Sequence, residues 1–265
     1  MTSISIFAHN PGPMTGSGNH TYLLNATSGR ATLIDAGIGA IEHLDAIERH
    51  LAGATLAQVL VTHGHDDHVS GAAALAKRYP QATFRKHPWD RHDSLHPVGW
   101  QPLRDGDRIS IGGGEEIVAI GTPGHSPDHL AFWHEASRTV FSGDLVTQGT
   151  SVMIHASAGG DLGLYLDSLR RILALEARRL LPAHGPVVDN PGALLTAYLV
   201  HRLDRERQVL DALAAGFDTV ESIAQSVYDG LDPALMPAAR ETVRAHLVKL
   251  QQERRVVERG SRWII

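Results

Sequence analysis

The segment Thr62-His63-Gly64-His65-Asp66-Asp67-His68 constrains this chain more than any other part of the sequence. It follows the apolar run Val59-Leu60-Val61, and so predicts a loop at the end of a strand. Imidazole nitrogens and carboxylate oxygens are the ligands that zinc and similar divalent ions prefer. Gly64 lets the backbone turn tightly, so that several of these side chains can point to one place. The segment therefore predicts a metal-binding loop.

Three more ligand-type residues follow apolar segments further along the chain. His125 comes after residues 117–120, Asp144 after residues 138–141 and His184 after residues 179–181, and a glycine is adjacent to each of the three. These patterns are typical of turns that end strands. Strand ends that carry His and Asp predict one rim of a sheet structure, where binding sites commonly form.

The composition limits the kind of chemistry. The chain has no cysteine, which excludes disulfides, thiol nucleophiles and cysteine-ligated zinc. Its first ten residues lack the basic start and apolar run of a signal peptide, and no apolar run approaches the ~20 residues of a membrane span. We therefore expect a soluble cytoplasmic protein with no membrane partner.

The hydrophobic pattern predicts two domains. With 265 residues, 43% of them hydrophobic, the chain can form one sizeable core and a small appended domain. Strands and helices form two roughly equal series up to Asn190-Pro191-Gly192, which predicts a mixed α/β domain over residues 1–190. Within it, residues 87–106 are expected to form an irregular loop and residues 69–78 one helix. A helix over 161–175 is expected to bury Leu164, Leu169, Ile172 and Leu173.

Residues 191–265 have a different pattern. Helices are predicted over 193–215, 219–228 and 237–252, followed by two short strands around Glu258-Arg259-Gly260-Ser261. This is the element order of a winged helix. Seven basic and three acidic residues lie between Arg240 and Arg262, whereas the whole chain has a net charge of −5. We favour a solvated surface there over nucleic-acid contact, so no double-stranded DNA partner is expected and the domain would act as a lid or partner surface. The sequence leaves the oligomeric state open, with a homodimer as one alternative.

These motifs together resemble the metallo-β-lactamase superfamily. The pattern His63-x-His65-x-Asp67-His68 is followed in order by His125, Asp144 and His184. Asp35, in Leu33-Ile34-Asp35-Ala36-Gly37, matches the superfamily's first motif, an aspartate that supports the metal loop. The resemblance covers about the first 190 residues and implies an α/β fold, the αββα sandwich of this superfamily.

One branch of the superfamily is closer than the others. The segment from Asn10 to Gly16, followed by Thr21-Tyr22-Leu23, resembles the β-lactamase-like endoribonuclease branch, which carries a C-terminal winged-helix domain. The chain departs from that branch at Asn19-His20, where such relatives tend to have Thr-Asn. True zinc β-lactamases are a poorer match, because many of them have a cysteine where this chain has Asp144.

The resemblance also implies a division of the ligands between two divalent ions, zinc first, with manganese or iron as alternatives. His63, His65 and His125 would hold one ion, Asp67, His68 and His184 the other, and Asp144 would bridge them. Asp67 and Asp144 are the residues expected to be catalytic. A hydroxide bridging two such ions is available at neutral pH, because the pKa of bound water falls to about 7.

Several other residues are candidates for supporting roles. Asp35 is expected to orient the metal loop. His20, His129 and His155 could each contact a substrate oxyanion or leaving group, or could only pack against a ligand and orient it. Asp66 is expected to be exposed rather than to bind metal.

The expected activity is metal-dependent hydrolysis by a metal-bridging hydroxide. The branch resemblance points first to phosphodiester cleavage in single-stranded RNA, and the alternative substrate is a small-molecule ester or thioester, as in glyoxalase-II-type relatives. A mononuclear iron dioxygenase is a third possibility, since its ligands are a subset of these. Flavin-linked diiron relatives typically have glutamate at the position of His65, which argues against them. A non-catalytic binding protein is disfavoured because the ligand set is complete.

Overall fold

Two six-stranded sheets form the first part of the molecule. The computed structural model describes residues 1–12 and 15–265, so that Pro13 and Met14, within the segment that carries the branch resemblance, lie outside the described residues. The first sheet contains β1 (Ser3–Phe7), β2 (His20–Leu24), β3 (Arg30–Ile34), β4 (Thr55–Leu60), β5 (Thr83–Lys86) and β6 (Trp100–Pro102). The second contains β7 (Arg108–Ser110), β8 (Glu116–Gly121), β9 (Leu130–His134), β10 (Thr139–Gly143), β11 (Arg179–Pro182) and β12 (Val188–Asp189). In both sheets each strand pairs with its neighbour in the chain.

Parallel strand pairs in both sheets place the segments that carry candidate ligands next to one another. β3 pairs in parallel with β4, and β10 pairs in parallel with β11, whereas β1–β2 and β8–β9 are antiparallel. Because parallel strands end at the same edge of a sheet, the segment after β3 lies beside the loop after β4. The segments after β10 and β11 are adjacent for the same reason.

The sheets pack face to face with helices outside, which confirms the αββα sandwich. Buried side chains from both sheets fill the space between them, including Leu24, Leu60, Phe132 and Phe141. The helices that precede the C-terminal part are α1 (Ile41–Leu51), α2 (Asp66–Val69), α3 (Ala72–Arg78), α4 (Asp90–Asp93) and α5 (Leu162–Ala174). α1 and α3 bury apolar residues against the first sheet, and α5 does so against the second.

Three local predictions differ from the structure. Leu164 is predicted to be buried but is 47% exposed, because the buried face of the first turn of α5 is formed by Leu162, Tyr165 and Leu166. The single helix predicted over 69–78 is interrupted at Gly71, where a Cβ atom would lie 2.1 Å from the carbonyl oxygen of Ala36. Residues 87–106 are not irregular throughout, since they contain α4 and β6.

The C-terminal part has the predicted winged-helix order. It consists of α6 (Gly192–Ala214), α7 (Val220–Val227) and α8 (Met236–Gln252), followed by the hairpin of β13 (Val257–Arg259) and β14 (Arg262–Ile264). Its own core includes Val209, Ile223, Leu247 and Trp263. No helix within the described ranges has the length and apolarity needed to cross a bilayer.

α6 contributes to two cores. Its first turns place Leu195 and Tyr198 in the core between α5 and the second sheet, whereas Val209 and Leu213 near its end belong to the winged-helix core. The division into residues 1–190 and 191–265 stays a prediction, since α6 packs against both sides of it.

A buried histidine on α8 predicts acid sensitivity. His246 is 1% exposed, and neither ring nitrogen has a hydrogen-bond partner among the described residues. Burial, together with the nearby Arg202, Lys249, Arg205 and His201, lowers the pKa of His246 to about 3 from its ordinary value of 6.5. Below pH 6.5 the unfolded chain therefore binds a proton that the folded chain excludes, and the free energy of unfolding falls as pH falls.

We expect His246→Leu to reduce this sensitivity. A proton that only the unfolded chain binds lowers the free energy of unfolding by up to about 1.4 kcal/mol for each pH unit. The variant's free energy of unfolding, measured with urea at pH 7, 6 and 5, should thus fall less steeply than that of the wild type. His50→Leu, on an exposed position of α1, is the matched control and should keep the wild-type steepness. Equal steepness in all three proteins would contradict the prediction.

Candidate metal centre

The predicted ligands all lie at strand ends on one rim of the sandwich. The loop after β4 carries His63 and His65, and the short helix α2 that follows carries Asp67 and His68. His125 lies between β8 and β9. Asp144 directly follows β10, and His184 follows β11 by two residues. The parallel pairs place neighbouring segments together within each sheet, and the packing of the two sheets brings the loops of both to one rim.

Three histidine nitrogens form one cluster. His65 Nδ1 lies 2.9 Å from His63 Nε2 and 3.0 Å from His125 Nε2. All three nitrogens lie within 4.8 Å of one another, close enough to share one cation. The other nitrogen of His125, Nδ1, contacts the carbonyl oxygen of Met153 at 3.0 Å, which orients the ring.

Asp67, His68 and His184 form a second cluster. Asp67 Oδ2 lies 3.2 Å from His184 Nε2 and 3.4 Å from His68 Nε2. These three atoms also lie within 4.8 Å of one another. The first cluster has only nitrogen donors, whereas the second includes a carboxylate.

Asp144 lies between the two clusters. Its Oδ1 is 3.3 Å from His68 Nε2 and 3.4 Å from His184 Nε2, while its Oδ2 is 3.6 Å from His125 Nε2. The two oxygens of one carboxylate therefore face the two clusters, an arrangement that suits a bridging ligand.

The protonation of these residues suits metal binding. Burial holds the pKa of His63 well below its usual range and lowers the pKa of His65 to about 3. Both rings are therefore neutral, and each can donate a lone pair to a cation. Burial raises the pKa of Asp144, but His68 and His184 outweigh it and hold that pKa well below its usual range. The same pKa lowering holds for Asp67, where His68 and His184 again outweigh burial.

The second cluster attracts positive charge. Burial lowers the pKa of His184, but the adjacent carboxylates of Asp144 and Asp67 outweigh it and raise the pKa to about 9. His68 Nε2 and Asp144 Oδ1 are buried without a hydrogen-bond partner among the described residues. A pair of divalent cations would fit this site, because the lone pairs converge, the carboxylates are ionised and buried polar atoms lack hydrogen-bond partners.

Two of the predicted supporting residues, Asp35 and His129, form hydrogen bonds with candidate ligands or with the backbone beside them. Asp35 Oδ2 lies 2.9 Å from His68 Nδ1, and its Oδ1 accepts a hydrogen bond from the backbone N–H of Thr62 at 2.8 Å. His129 is buried, and its Nε2 accepts the backbone N–H of Asp144 at 3.1 Å. Its Nδ1 lies 2.7 Å from Thr122 Oγ1, so both nitrogens contact protein groups.

The remaining candidates have different environments. His20 Nδ1 contacts Ser5 Oγ at 3.0 Å, and the ring is not among the groups that line the cavity beside the clusters. His155 does line that cavity. Asp66 points to solvent, with a side chain that is 88% exposed, so it stands outside the clusters as expected.

Sequence reasoning missed the role of Asn19. This residue is fully buried, and its Nδ2 donates to the carbonyl oxygen of Asp67 at 2.7 Å. Asn19 also forms a backbone bridge with His184. The departure at Asn19-His20 drew attention to the segment, but the sequence alone gave no sign that Asn19 rather than His20 supports the ligands.

A cavity of about 710 Å³ opens beside the clusters. Its floor is formed by five of the ligand residues: His65, Asp67, His125, Asp144 and His184. Its walls carry the apolar side chains of Val146, Val152, Met153 and Leu235, and the hydroxyl groups of Thr15, Ser17, Thr147, Thr150 and Ser151. Among the described residues that line it, none is lysine or arginine.

The chain matches two known family models. Residues 14–184 match the family model of the metallo-beta-lactamase superfamily. The chain belongs to the metallo-β-lactamase superfamily. Members of this superfamily are typically metal-dependent hydrolases, and this member carries the candidate His/Asp centre. Residues 219–263 match the beta-lactamase associated winged helix domain, which confirms the second domain type.

Superfamily relatives match along nearly the whole chain. A beta-lactamase-like protein 2 homolog of Caenorhabditis elegans is 32% identical over 256 residues, covering 92% of this chain and 82% of that protein. The lactamase-like protein adaB of Aspergillus niger is 31% identical over 277 residues, covering 98% of this chain and 83% of that protein. Among solved structures, a beta-lactamase domain protein from Burkholderia ambifaria has a TM-score of 0.81 at 25% identity, covering 99% of this chain and 90% of that one.

Proposed function

We propose that this chain is a dinuclear metal-dependent hydrolase whose substrate is an ester or thioester with an apolar acyl group. The single observation that carries the substrate class is the lining of the cavity, in which apolar and hydroxyl side chains accompany the ligand clusters and no lysine or arginine is present among the described lining residues. An uncharged acyl group can be desolvated against such walls without an unpaired charge.

Single-stranded RNA, the first expectation from the sequence, receives less support. Proteins that bind RNA neutralise its phosphates with lysine and arginine and stack bases on aromatic rings. The cavity lining contains neither lysine, arginine nor tryptophan among its described residues. The basic residues of the C-terminal segment are partly neutralised, since Arg240 pairs with Glu221 and Arg262 with Asp218.

The ligand arrangement supports two cations rather than one. His63, His65 and His125 would hold one ion, and Asp67, His68 and His184 the other, with Asp144 shared between them. A mononuclear iron dioxygenase would need only part of this set and would leave the second cluster without a role. When bound, the cations would polarise the scissile carbonyl and lower the pKa of water.

The chain's own residues would fix the geometry of the reaction. Asp35 and His129 hold His68 and the Asp144 backbone, so that the ligands need not reorganise when substrate binds. The apolar walls would position the acyl group, and the hydroxyl groups of Thr150 and Ser151 would offer neutral hydrogen-bond donors.

The test is a substrate panel on the purified protein loaded with zinc or manganese. We expect hydrolysis of butyryl and dodecanoyl thioesters of N-acetylcysteamine, no cleavage of a fluorescent single-stranded RNA, and two ions per chain by elemental mass spectrometry. RNA cleavage without thioester or ester turnover would overturn the proposed substrate class. A single tightly bound iron with no hydrolysis would overturn the dinuclear assignment.

A further inference from the structure

We propose that Leu235, a residue of the winged-helix part, determines which acyl groups the site accepts by contacting their far end. This inference rests on the proposed function. Leu235 lines the same cavity as the ligand clusters, although it comes from the other end of the chain. Through Leu235, the C-terminal domain would take a direct part in substrate selection.

Leu235 is an exposed apolar side chain in a fixed position. It is 53% exposed, and it ends a short 3-10 turn, Pro233–Leu235, directly before α8. The Asp232 side chain caps that turn by accepting the backbone N–H of Ala234 at 2.9 Å, and the Asp232 carbonyl accepts the N–H of Leu235 at 2.9 Å. A half-exposed apolar side chain that lines a cavity gains by covering an apolar ligand.

The wall beside Leu235 is the loop of residues 146–155, here called the pocket loop. It supplies most of the apolar and hydroxyl groups of the cavity, including Val152, Met153 and Ser151. The Met153 carbonyl contacts the metal-ligand candidate His125 at 3.0 Å. The same loop thus joins the candidate metal centre to the apolar wall.

α6 holds the pocket loop from the C-terminal side. Tyr198 Oη lies 2.8 Å from the carbonyl oxygen of Thr147 and 2.9 Å from that of Thr150. One helical turn later, the buried guanidinium of Arg202 donates to the carbonyl oxygen of Val152. Ser157, just past the loop, donates from Oγ to the Glu241 carboxylate of α8 at 2.9 Å.

The cavity lining therefore combines residues of the ligand clusters with apolar side chains of the pocket loop and Leu235. An acyl chain that extends from the clusters to Leu235 would be covered by it, whereas a shorter chain would make less contact with it. Selectivity between long and short acyl groups should thus depend on Leu235.

The test compares Leu235→Asp with the wild type on dodecanoyl and butyryl thioesters of N-acetylcysteamine. We expect the ratio of kcat/KM for dodecanoyl over butyryl to fall about 10-fold or more, as for loss of an apolar contact in a pocket. The matched control is Leu164→Asp, because Leu164 is also an exposed leucine, at 47%, but lies on α5 and does not line the cavity. An unchanged ratio in Leu235→Asp, or the same fall in both variants, would overturn the inference.

A binding measurement separates this inference from the proposed function. Dodecanoate is titrated calorimetrically into the metal-loaded wild type and both variants, which requires no turnover. We expect binding to the wild type and to Leu164→Asp, and at least about 10-fold weaker binding to Leu235→Asp. No binding to the wild type, or equal binding to Leu235→Asp, would overturn the role of Leu235. Absence of ester and thioester hydrolysis despite the expected binding pattern would instead overturn the proposed function.

Discussion

Asp144→Asn is expected to lower hydrolysis by about three orders of magnitude and to reduce the bound metal from two ions per chain toward one. The two carboxylate oxygens of Asp144 face the two ligand clusters, at 3.3 Å from His68 Nε2 and 3.6 Å from His125 Nε2. Asparagine removes the negative charge and replaces one oxygen by an NH₂ group, which cannot coordinate a cation. One of the two clusters therefore loses its shared ligand.

The chain offers a matched control for this substitution. Asp66→Asn removes the same charge from the same region, but the Asp66 side chain is 88% exposed and belongs to neither cluster. We expect it to keep full activity and two ions. Elemental mass spectrometry and thioester hydrolysis should be measured on both variants. A fully active Asp144→Asn enzyme with two ions would show that the dinuclear assignment is wrong.

Lys86→Met is expected to lower the free energy of unfolding by about 3–5 kcal/mol, the usual cost of removing one partner from a buried ion pair. Lys86 is 1% exposed, and its ammonium group donates to the carbonyl oxygen of His87 at 2.7 Å. It also pairs with the carboxylate of Asp93 and, at 3.1 Å, with that of Asp128. Asp128 is itself 1% exposed, so its charge would be left buried without a cation.

Two further variants test this cause. Lys77→Met changes an exposed lysine on α3 and should leave stability nearly unchanged. The double variant Lys86→Met, Asp128→Asn removes the buried charge along with its partner and should recover part of the loss. Urea unfolding of the three variants and the wild type measures both effects. A loss in Lys86→Met no larger than in Lys77→Met would show that the ion cluster is not stabilising.

The position of the candidate ligands at strand ends could be predicted, because the local sequence shows the apolar segments and the residues that follow them. His63, His125 and His184 each follow an apolar segment and lie next to a turn, so strand ends and ligand types were visible together. The parallel pairs β3–β4 and β10–β11 then place His63 near Asp35 and His184 near Asp144, whereas His125 lies in the turn of the antiparallel pair β8–β9. Whether each residue binds metal stays a prediction that the Asp144 experiment addresses.

Features that depend on distant partners could not be predicted in the same way. Lys86 looks like an ordinary surface lysine in the sequence, and only the packing of α4 and the β8–β9 loop buries it beside two carboxylates. Leu235 reads as one apolar residue among many near a helix start, yet it reaches a cavity formed by residues far earlier in the chain. Leu164 had the right spacing for burial but is 47% exposed in the first turn of α5, although Leu169 and Ile172 of the same predicted face are buried.

The continuity of α6 limits how this molecule can move. The helix has 23 residues, a length of about 35 Å, and it packs without a break into both the core between α5 and the second sheet and the core of the winged helix. A hinge at the junction would have to disrupt its backbone hydrogen bonds or withdraw one of its ends from a packed core. The C-terminal domain is therefore not expected to open as a rigid lid. Substrate would have to reach the cavity through its existing mouth or by small displacements of the pocket loop, with the two domains moving as one body.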